Sequence, residues 1–475
     1  MQMKRPLVVS AFVLTSAIQN IIGVLRAKVL ALLWGATHVG ILGQILTLFN
    51  LQTRLLTFGT TAALVNQLAR EDESNHRDVV IQITFFIVFL TNLVTLTIFT
   101  VFAPQLSYLL FNTPKYSHFI LWMAVICPFF SLSRLLETLD QAEKKFKRLV
   151  KGRIISMGLA LILVIPLVYQ LGVLGAIIDL LVWFSVSIIY FSPQRKELLY
   201  ILFRRSNKLN PIWKSTIKIC VADFSKHMLF NASLAVFRIL LVHELNLRYV
   251  GYFQALWSIV NYLNIFINGF TIYFLPVISE HRSSTKTRQE ISLNFTMLIY
   301  ILVPVCAFLL LFPAPLLYLL YSKEFVQISS ELNWMIFGKF FDLLFTFFIV
   351  IFLGQRQLRL FLGLELFRSI SLLIVTYWLT IHFGFKGAIG GVVVVQIMSF
   401  LMGFYWIQKD PLFALDRKSH LLLWRIVFMF ICLALFPGDT VFWVIGKILF
   451  VLIFVSIALN LKLYLKLIKE FKGRI

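Results

Sequence analysis

Long apolar runs separated by short polar connections make up most of the chain. Because a helix rises 1.5 Å per residue, about 20 apolar residues cross a hydrocarbon core of about 30 Å. Fourteen segments reach that length, and each predicts a membrane-spanning helix. In chain order, the approximate limits of predicted helices 1 to 14 are 7–34, 39–69, 79–102, 117–140, 153–170, 172–192, 215–245, 249–279, 291–320, 326–354, 360–382, 386–407, 421–437 and 441–461. The pattern therefore predicts an all-α polytopic membrane protein.

Composition strengthens this prediction. Apolar residues make up 60% of the 475 residues and charged residues only 14%, against roughly 25% charge in a typical soluble domain. The net charge of +23 is typical of nucleic-acid-binding proteins, but such proteins lack contiguous apolar runs, so no nucleic-acid partner is predicted. Cys127, Cys220, Cys306 and Cys432 lie far apart in apolar runs. No disulfide, metal site or cofactor is therefore expected.

Basic residues accumulate in alternate connections between the predicted helices, as they do on the cytoplasmic side of membrane proteins. With the amino terminus placed inside, the inside connections carry 29 Lys and Arg residues and the outside connections carry four. This bias predicts a multi-pass protein of the cytoplasmic (inner) membrane with both termini cytoplasmic. No small-x-small cleavage site follows the first apolar run, so that run is expected to remain as helix 1 rather than act as a cleaved signal.

Four short patterns recur in the same order at a nearly constant offset along the chain. The pairs are 39–40 with 250–251, 103–110 with 314–320, 129–130 with 340–341, and 172–177 with 384–389. A constant offset indicates a duplication, and six helices per copy give two lobes of parallel orientation. The predicted organisation is an N-lobe at 1–193, a basic cytoplasmic linker at 194–214, a C-lobe at 215–408, and two extra helices with a basic tail at 409–475.

Two parallel lobes are typical of alternating-access transporters, which bind substrate between their halves. A charge at the centre of a spanning helix costs roughly 2.5–3.5 kcal/mol, so embedded charges should pair or face a polar cavity. Four pairs have i, i+3 spacing, which places both members on one helix face. They are Arg134 with Glu137, Asp223 with Lys226, Lys339 with Asp342, and Glu365 with Arg368. The first and last are interpreted as structural; the other two stay open between structure and function.

Arg26, Lys28, Arg54 and Arg238 have no acidic neighbour at helical spacing. Arg26 and Arg238 are separated by the repeat offset and so occupy the same position in the two copies. Guanidinium groups from both lobes suit a phosphate, which they bind through two parallel hydrogen bonds. In the alternative interpretation, Arg26 and Lys28 reach the headgroups and Arg54 pairs with a distant carboxylate such as Asp179. Asp179 has no basic neighbour at helical spacing, so it is interpreted either as a partner of one of these arginines or as a proton or sodium site.

Several stretches resemble a known family. They are GVLRAKVL at 23–30, GATHVG at 35–40, FGTTAALV at 58–65 and LGVLGAI at 171–177. These are similar to polysaccharide repeat-unit flippases, the O-antigen and exopolysaccharide transporters of the multidrug, oligosaccharidyl-lipid and polysaccharide exporter superfamily. The resemblance covers predicted helices 1 to 12 in order.

The resemblance implies a flippase, not an enzyme, that moves an undecaprenyl-pyrophosphate-linked oligosaccharide to the outer leaflet. The family's cavity arginines on helices 1 and 2 map onto Arg26 and Arg54, and those on helix 7 map onto Arg238 or Lys226; Lys28 is a further candidate. A sodium or proton gradient is the expected energy source, and the candidate coupling carboxylates are Asp223, Asp179 and Asp342. Membrane lipid is an expected partner, and a polysaccharide polymerase and chain-length proteins are further candidates.

Three alternatives have distinguishing features. A multidrug exporter of organic cations should favour an acidic cavity. A lipid-linked peptidoglycan precursor flippase shares the fourteen helices and the pyrophosphate chemistry. A glycan polymerase or ligase usually carries a long outside loop, and every outside connection here is short.

Overall fold

Every regular element in the described part of the chain is a helix. The computed structural model describes residues 5–68, 74–143, 145–192, 209–268, 271, 285–355, 357–410, 413–435 and 446. The helices are α1 (Arg5–Thr57), α2 (Thr60–Leu68), α3 (Ser74–Val101), α4 (Ala103–Phe111), α5 (Ser117–Ala142), α6 (Phe146–Leu171), α7 (Val173–Phe191), α8 (Leu209–Glu244), α9 (Leu247–Asn261), α10 (Thr285–Leu311), α11 (Pro313–Leu320), α12 (Ser329–Gly354), α13 (Leu358–Lys409) and α14 (Arg417–Leu435), with short 3-10 helices at Pro114–Tyr116 and Lys323–Ile328. The predicted all-α class is confirmed.

Ten helices among the described residues are long and apolar enough to cross a membrane. They contain the first twelve predicted segments, because α1 and α13 each join two segments across a kink, at Gly35 and Gly384. The thirteenth segment corresponds to a shorter apolar helix, Ser419–Phe430. The fourteenth, at 441–461, lies outside the described residues. The protein is therefore a multi-pass membrane protein.

Large apolar side chains on the outer faces of these helices are exposed, as a lipid environment requires. Phe89 on α3 is 60% exposed and Ile162 on α6 is 70% exposed. Buried apolar residues lie between the helices instead. One cluster, which includes Leu64, Val80 and Leu135, joins α2, α3 and α5.

The glycine turn between α6 and α7 is built a second time within α13. Gly172 (φ 56°, ψ −128°) and Gly384 (φ 59°, ψ −139°) are equivalent positions of the two repeats and share a left-handed conformation that favours glycine. A Cβ atom on Gly175 or Gly387 would lie 2.0 or 1.9 Å from the carbonyl oxygen eight residues earlier. The same tight turn therefore occurs at equivalent positions of the two predicted repeats.

A second repeated feature is a break after a long helix. In the first copy α3 is followed by the short α4 and a 3-10 helix, and in the second copy α10 is followed by the short α11 and a 3-10 helix. The prediction of one continuous helix at 291–320 is therefore wrong. The chain breaks at Phe312 and restarts at Pro313, because proline fits the first turn of a helix but not its interior.

The chain divides into two compact units, residues 1–251 and 252–475. Inside the first unit, the repeated glycines Gly40 and Gly251 face each other. A Cβ atom on Gly40 would lie 2.0 Å from the carbonyl oxygen of Leu247, and one on Gly251 would lie 1.9 Å from that of Ala36. Only glycine allows the backbones of α1 and α9 to approach so closely.

Parts of the predicted organisation fall outside the described residues. Most of the linker predicted at 194–214 is among them, and so is the tail after residue 435 apart from residue 446. The boundaries of the two lobes, the linker and the extra helices therefore stay a prediction.

Candidate functional site

A charged cavity of about 730 Å³ lies inside the first unit, between α1, α2, α5, α6, α7 and α8. Its volume is within the usual range of small-molecule sites, about 300–1,000 Å³. The charged residues that line it are Arg54, Arg134, Glu137, Arg153 and Asp223. Among the described side chains that line the cavity, three guanidinium groups stand against two carboxylates, which gives this described lining a net positive charge.

Arg54 lies in the last turn of α1, with its side chain exposed at the cavity. Asp223 on α8 is the carboxylate that acts on it electrostatically, and Arg134 is close enough to repel it. Arg54 is therefore attracted by the carboxylate of Asp223 and repelled by the guanidinium group of Arg134.

Glu137 on α5 joins three helices at the wall of this cavity. Its Oε2 atom accepts two hydrogen bonds from Arg153 on α6, from Nε at 3.0 Å and Nη2 at 2.9 Å, and one from Arg134 Nη1 at 3.5 Å. Ser187 on α7 donates to Oε1 at 3.3 Å and accepts from Ser133 at 2.8 Å. The predicted Arg134–Glu137 pair is confirmed, and Glu137 fixes both arginines at the cavity.

Sequence reasoning missed Arg153 as a site residue, because it lies at the first position of predicted helix 5 (153–170) and was counted with the basic residues of the cytoplasmic connection. The structure places it within α6, which begins at Phe146. Met157, four residues later on α6, also lines the cavity. Residues four apart share one face of a helix, so a correct helix start would have placed Arg153 on the same face as Met157.

Arg26 does not line this cavity. Its Nη2 atom forms a 2.5 Å salt bridge with Oδ2 of Asp179 on α7, and the two side chains are 6% and 0% exposed. Arg26 has no acidic neighbour at helical spacing, but a carboxylate 153 residues away is its partner, because α1 and α7 bring the two side chains together. Asp179 thus has an arginine partner, but this partner is Arg26 and not Arg54.

Arg238 on α8 is also buried and bound by protein. Its Nη1 atom donates to the carbonyl oxygen of Gly43 at 2.8 Å, and the side chain of Gln44 donates to the carbonyl oxygen of Arg238 at 3.0 Å. The repeat-related Arg26 and Arg238 therefore both hold α1 to a neighbouring helix in this conformation, and neither lines the cavity.

The remaining predicted residues lie in different places. Lys28 is half-buried and does not line the cavity, and the side chain of Lys226 lies outside the described part. Asp342 is buried in the second unit, where it forms ion pairs with Lys339 at 2.6 Å and Arg368 at 2.5 Å. The predicted Lys339–Asp342 pair is confirmed. Among the three coupling candidates, Asp223 alone lines the described cavity.

Several solved structures have the same fold as this protein. The lipid II flippase MurJ, in an inward closed conformation, is 14% identical with a TM-score of 0.74, covering 96% of this chain and 99% of that chain. An inward-facing multidrug resistance MATE family transporter of the MOP superfamily is 16% identical with a TM-score of 0.69, covering 83% and 97%. A MOP superfamily transporter from Pyrococcus furiosus is 15% identical with a TM-score of 0.60, covering 84% and 93%.

The protein thus has the fold of the flippases and transporters of the MOP superfamily. The family described as polysaccharide biosynthesis protein matches residues 29–330. The chain belongs to this family, which confirms the resemblance found in the sequence. No curated protein sequence matches the chain.

Proposed function

We propose that this protein is a flippase that moves an undecaprenyl-pyrophosphate-linked oligosaccharide across the cytoplasmic membrane by alternating access. The observation that carries the proposal is the group of three arginines, Arg54, Arg134 and Arg153, at one cavity of the first unit. Membership of the polysaccharide biosynthesis family supports the substrate class. The inner-membrane location with both termini cytoplasmic belongs to the proposal and rests on the distribution of basic residues.

Arginine suits the pyrophosphate for two physical reasons. Its planar guanidinium forms paired, charge-assisted hydrogen bonds with phosphate oxygens, and it keeps its proton inside a membrane protein. In the absence of substrate, Glu137 and Asp223 offset the charge of the cavity arginines. When the substrate enters, its phosphate oxygens take over part of that role, so the cavity need not hold an uncompensated charge in either state.

The glycan and the lipid follow different paths in this mechanism. The pyrophosphate and the glycan occupy the polar cavity, while the prenyl chain stays in the hydrocarbon region, where its transfer to a polar site would cost free energy. A sodium or proton gradient drives the cycle. Asp223 is the carboxylate best placed to couple that ion, because it lines the same cavity as Arg54 and acts on it electrostatically.

The proposal predicts that cells lacking the protein accumulate one defined pyrophosphate-linked oligosaccharide, detected by mass spectrometry of polyprenyl-linked lipids. Wild-type protein should relieve the accumulation. Arg54→Ala should reduce transport at least about tenfold, since a hydrogen bond to a charged group contributes about 1.5–3 kcal/mol, and Arg54→Lys should retain part of the activity.

Arg359→Ala is the matched control, because Arg359 is an exposed arginine of α13 that does not line the cavity. Equal, wild-type activity of both Arg54 variants would remove Arg54 from the site. Accumulation of the lipid-linked peptidoglycan precursor would assign the other pyrophosphate substrate. New sensitivity to lipophilic cations with no lipid accumulation would instead support drug export.

A further inference from the structure

Four aromatic side chains line the same cavity as the arginines. Phe49 lies on α1, Phe130 on α5, and Trp183 and Phe184 on α7. Their rings form one continuous cluster, with centroid distances of 5.6 Å from Phe49 to Phe130, 5.3 Å from Phe130 to Phe184, 6.0 Å from Phe49 to Phe184 and 5.5 Å from Trp183 to Phe184. We call these four residues the aromatic wall.

The aromatic wall is not fully covered by protein. Phe49, Phe130 and Trp183 are half-buried, and Phe184 is 7% exposed. Apolar ring surface beside charged groups in a polar cavity is unfavourable unless a ligand covers it. The ligand that fits must therefore combine an anionic group for the arginines with an apolar face for the rings.

The helix register sets how far apart these two parts of the ligand lie. Phe130 and Arg134 are spaced i, i+4 on α5 and so share one face, separated by about 6 Å along the helix axis. Phe49 and Arg54 are five residues apart on α1, or about 7.5 Å along the axis. The rings therefore lie little more than one helical turn from the cationic groups, which is the reach of a group attached directly to the bound phosphate.

We infer that the aromatic wall is a stacking subsite for the sugar ring next to the pyrophosphate. This inference rests on the proposed function, and it specifies which part of the substrate the subsite binds. One face of a pyranose presents C–H groups, which pack on the electron-rich face of an aromatic ring. The edge of the sugar presents hydroxyl groups, and the side-chain amides of Gln19 and Gln141, which also line the cavity, supply hydrogen-bond partners for them.

The subsite predicts that the protein prefers the loaded lipid carrier to the spent one. Undecaprenyl pyrophosphate without sugar offers only the anionic group, whereas the loaded carrier engages both the arginines and the aromatic wall. A single good aromatic contact corresponds to roughly twofold to tenfold in affinity. We therefore expect selectivity for the loaded carrier of that size.

The test measures binding to the full-length protein in lipid nanodiscs with two probes, undecaprenyl pyrophosphate and undecaprenyl-pyrophosphoryl-N-acetylglucosamine. Wild-type protein should bind the second probe about twofold to tenfold more tightly. Phe130→Leu, which keeps apolar volume but removes the ring, should bring this ratio close to one by weakening the binding of the second probe. Phe130→Tyr, which keeps the ring, should retain the ratio.

Phe89→Leu is the control for loss of a phenyl ring elsewhere, because Phe89 is an exposed residue of α3 that does not line the cavity. Trp183→Leu is a second test variant, since its ring contacts Phe184 at the end of the cluster. Thermal unfolding of each variant confirms that it is folded.

The outcomes separate the inference from the proposed function. Equal binding of both probes by the wild type, or an unchanged ratio in both leucine variants of the aromatic wall, would overturn the sugar subsite and leave the flippase proposal standing. Binding of neither probe by the wild type would overturn the proposed function together with the inference. Preferential binding of the cation rhodamine 6G, lost in the leucine variants, would assign the aromatic wall to drug recognition and overturn the sugar subsite.

Discussion

At the scale of single residues, five arginines of the first unit fall into two environments. Arg26 and Arg238 are buried and bound by Asp179 and by the backbone of α1. Arg54, Arg134 and Arg153 line the cavity. The first group holds helices together, and the second is placed to meet an anion. Substitutions in the two groups should therefore have different consequences.

The Arg26–Asp179 pair should respond as a buried structural ion pair. Asp179→Ala leaves the Arg26 guanidinium buried without its carboxylate, so we expect a loss of about 3–5 kcal/mol in the free energy of unfolding. The double variant Arg26→Met with Asp179→Leu should lose much less, because no uncompensated charge remains. Thermal unfolding in detergent measures both. A double variant no more stable than Asp179→Ala would show that the pair does more than neutralise charge.

At the scale of elements, glycine determines where a helix can turn and how closely two helices approach. The α6–α7 turn requires Gly172 in a left-handed conformation, and α7 passes so close to α6 that Gly175 has no room for a side chain. The second copy repeats both positions, at Gly384 and Gly387. The fold therefore requires glycine at these positions.

Two glycine-to-alanine substitutions on neighbouring helices test this requirement. Gly175→Ala should lower the unfolding temperature markedly, because its Cβ atom would lie 2.0 Å from a carbonyl oxygen. Gly158→Ala on α6 is the matched control, since nothing lies within 4 Å of its Cβ position. There, alanine should raise stability by about 0.5–1 kcal/mol through its better helix propensity. A neutral Gly175→Ala would mean that α6 and α7 can separate without cost.

At the scale of the whole molecule, the two repeats differ in where their charged side chains lie. In the first unit, Arg134 and Glu137 line a cavity. The equivalent positions of the second copy are Phe345 and Phe348, both buried in a phenylalanine-rich core. In the second unit, the embedded charges Lys339, Arg368, Asp342 and Glu365 form ion pairs with one another. The two repeats thus share backbone turns but differ in their embedded charges.

This difference predicts that one aspartate substitution lowers stability and another reduces transport. Asp342→Asn leaves Lys339 and Arg368 buried with one carboxylate fewer, so it should lower stability by about 3–5 kcal/mol. Asp223→Asn should leave stability nearly unchanged and reduce gradient-driven transport, because a half-buried carboxylate at the cavity is lost. Reconstituted vesicles with an imposed sodium or proton gradient measure the transport. Unchanged gradient dependence in Asp223→Asn would exclude Asp223 as the coupling site.

The sequence by itself determined the features that depend on neighbouring residues. In a membrane each helix must satisfy its own backbone, so the length and polarity of each segment are enough to place it. Most of the helical spans, and the i, i+3 pairs of Arg134 and Lys339, were predicted from such local patterns. The break at Pro313 was missed because the apolar run continues through it.

Only the tertiary structure decided which embedded charges meet. Arg26 and Asp179 are 153 residues apart, and no local pattern indicates that α1 and α7 bring them within 2.5 Å. Arg153 reaches the cavity because α6 packs beside α5, where Glu137 holds it. A guanidinium group can donate hydrogen bonds to a carboxylate, a carbonyl oxygen or a substrate phosphate. The packing of the helices determines which of these partners it finds.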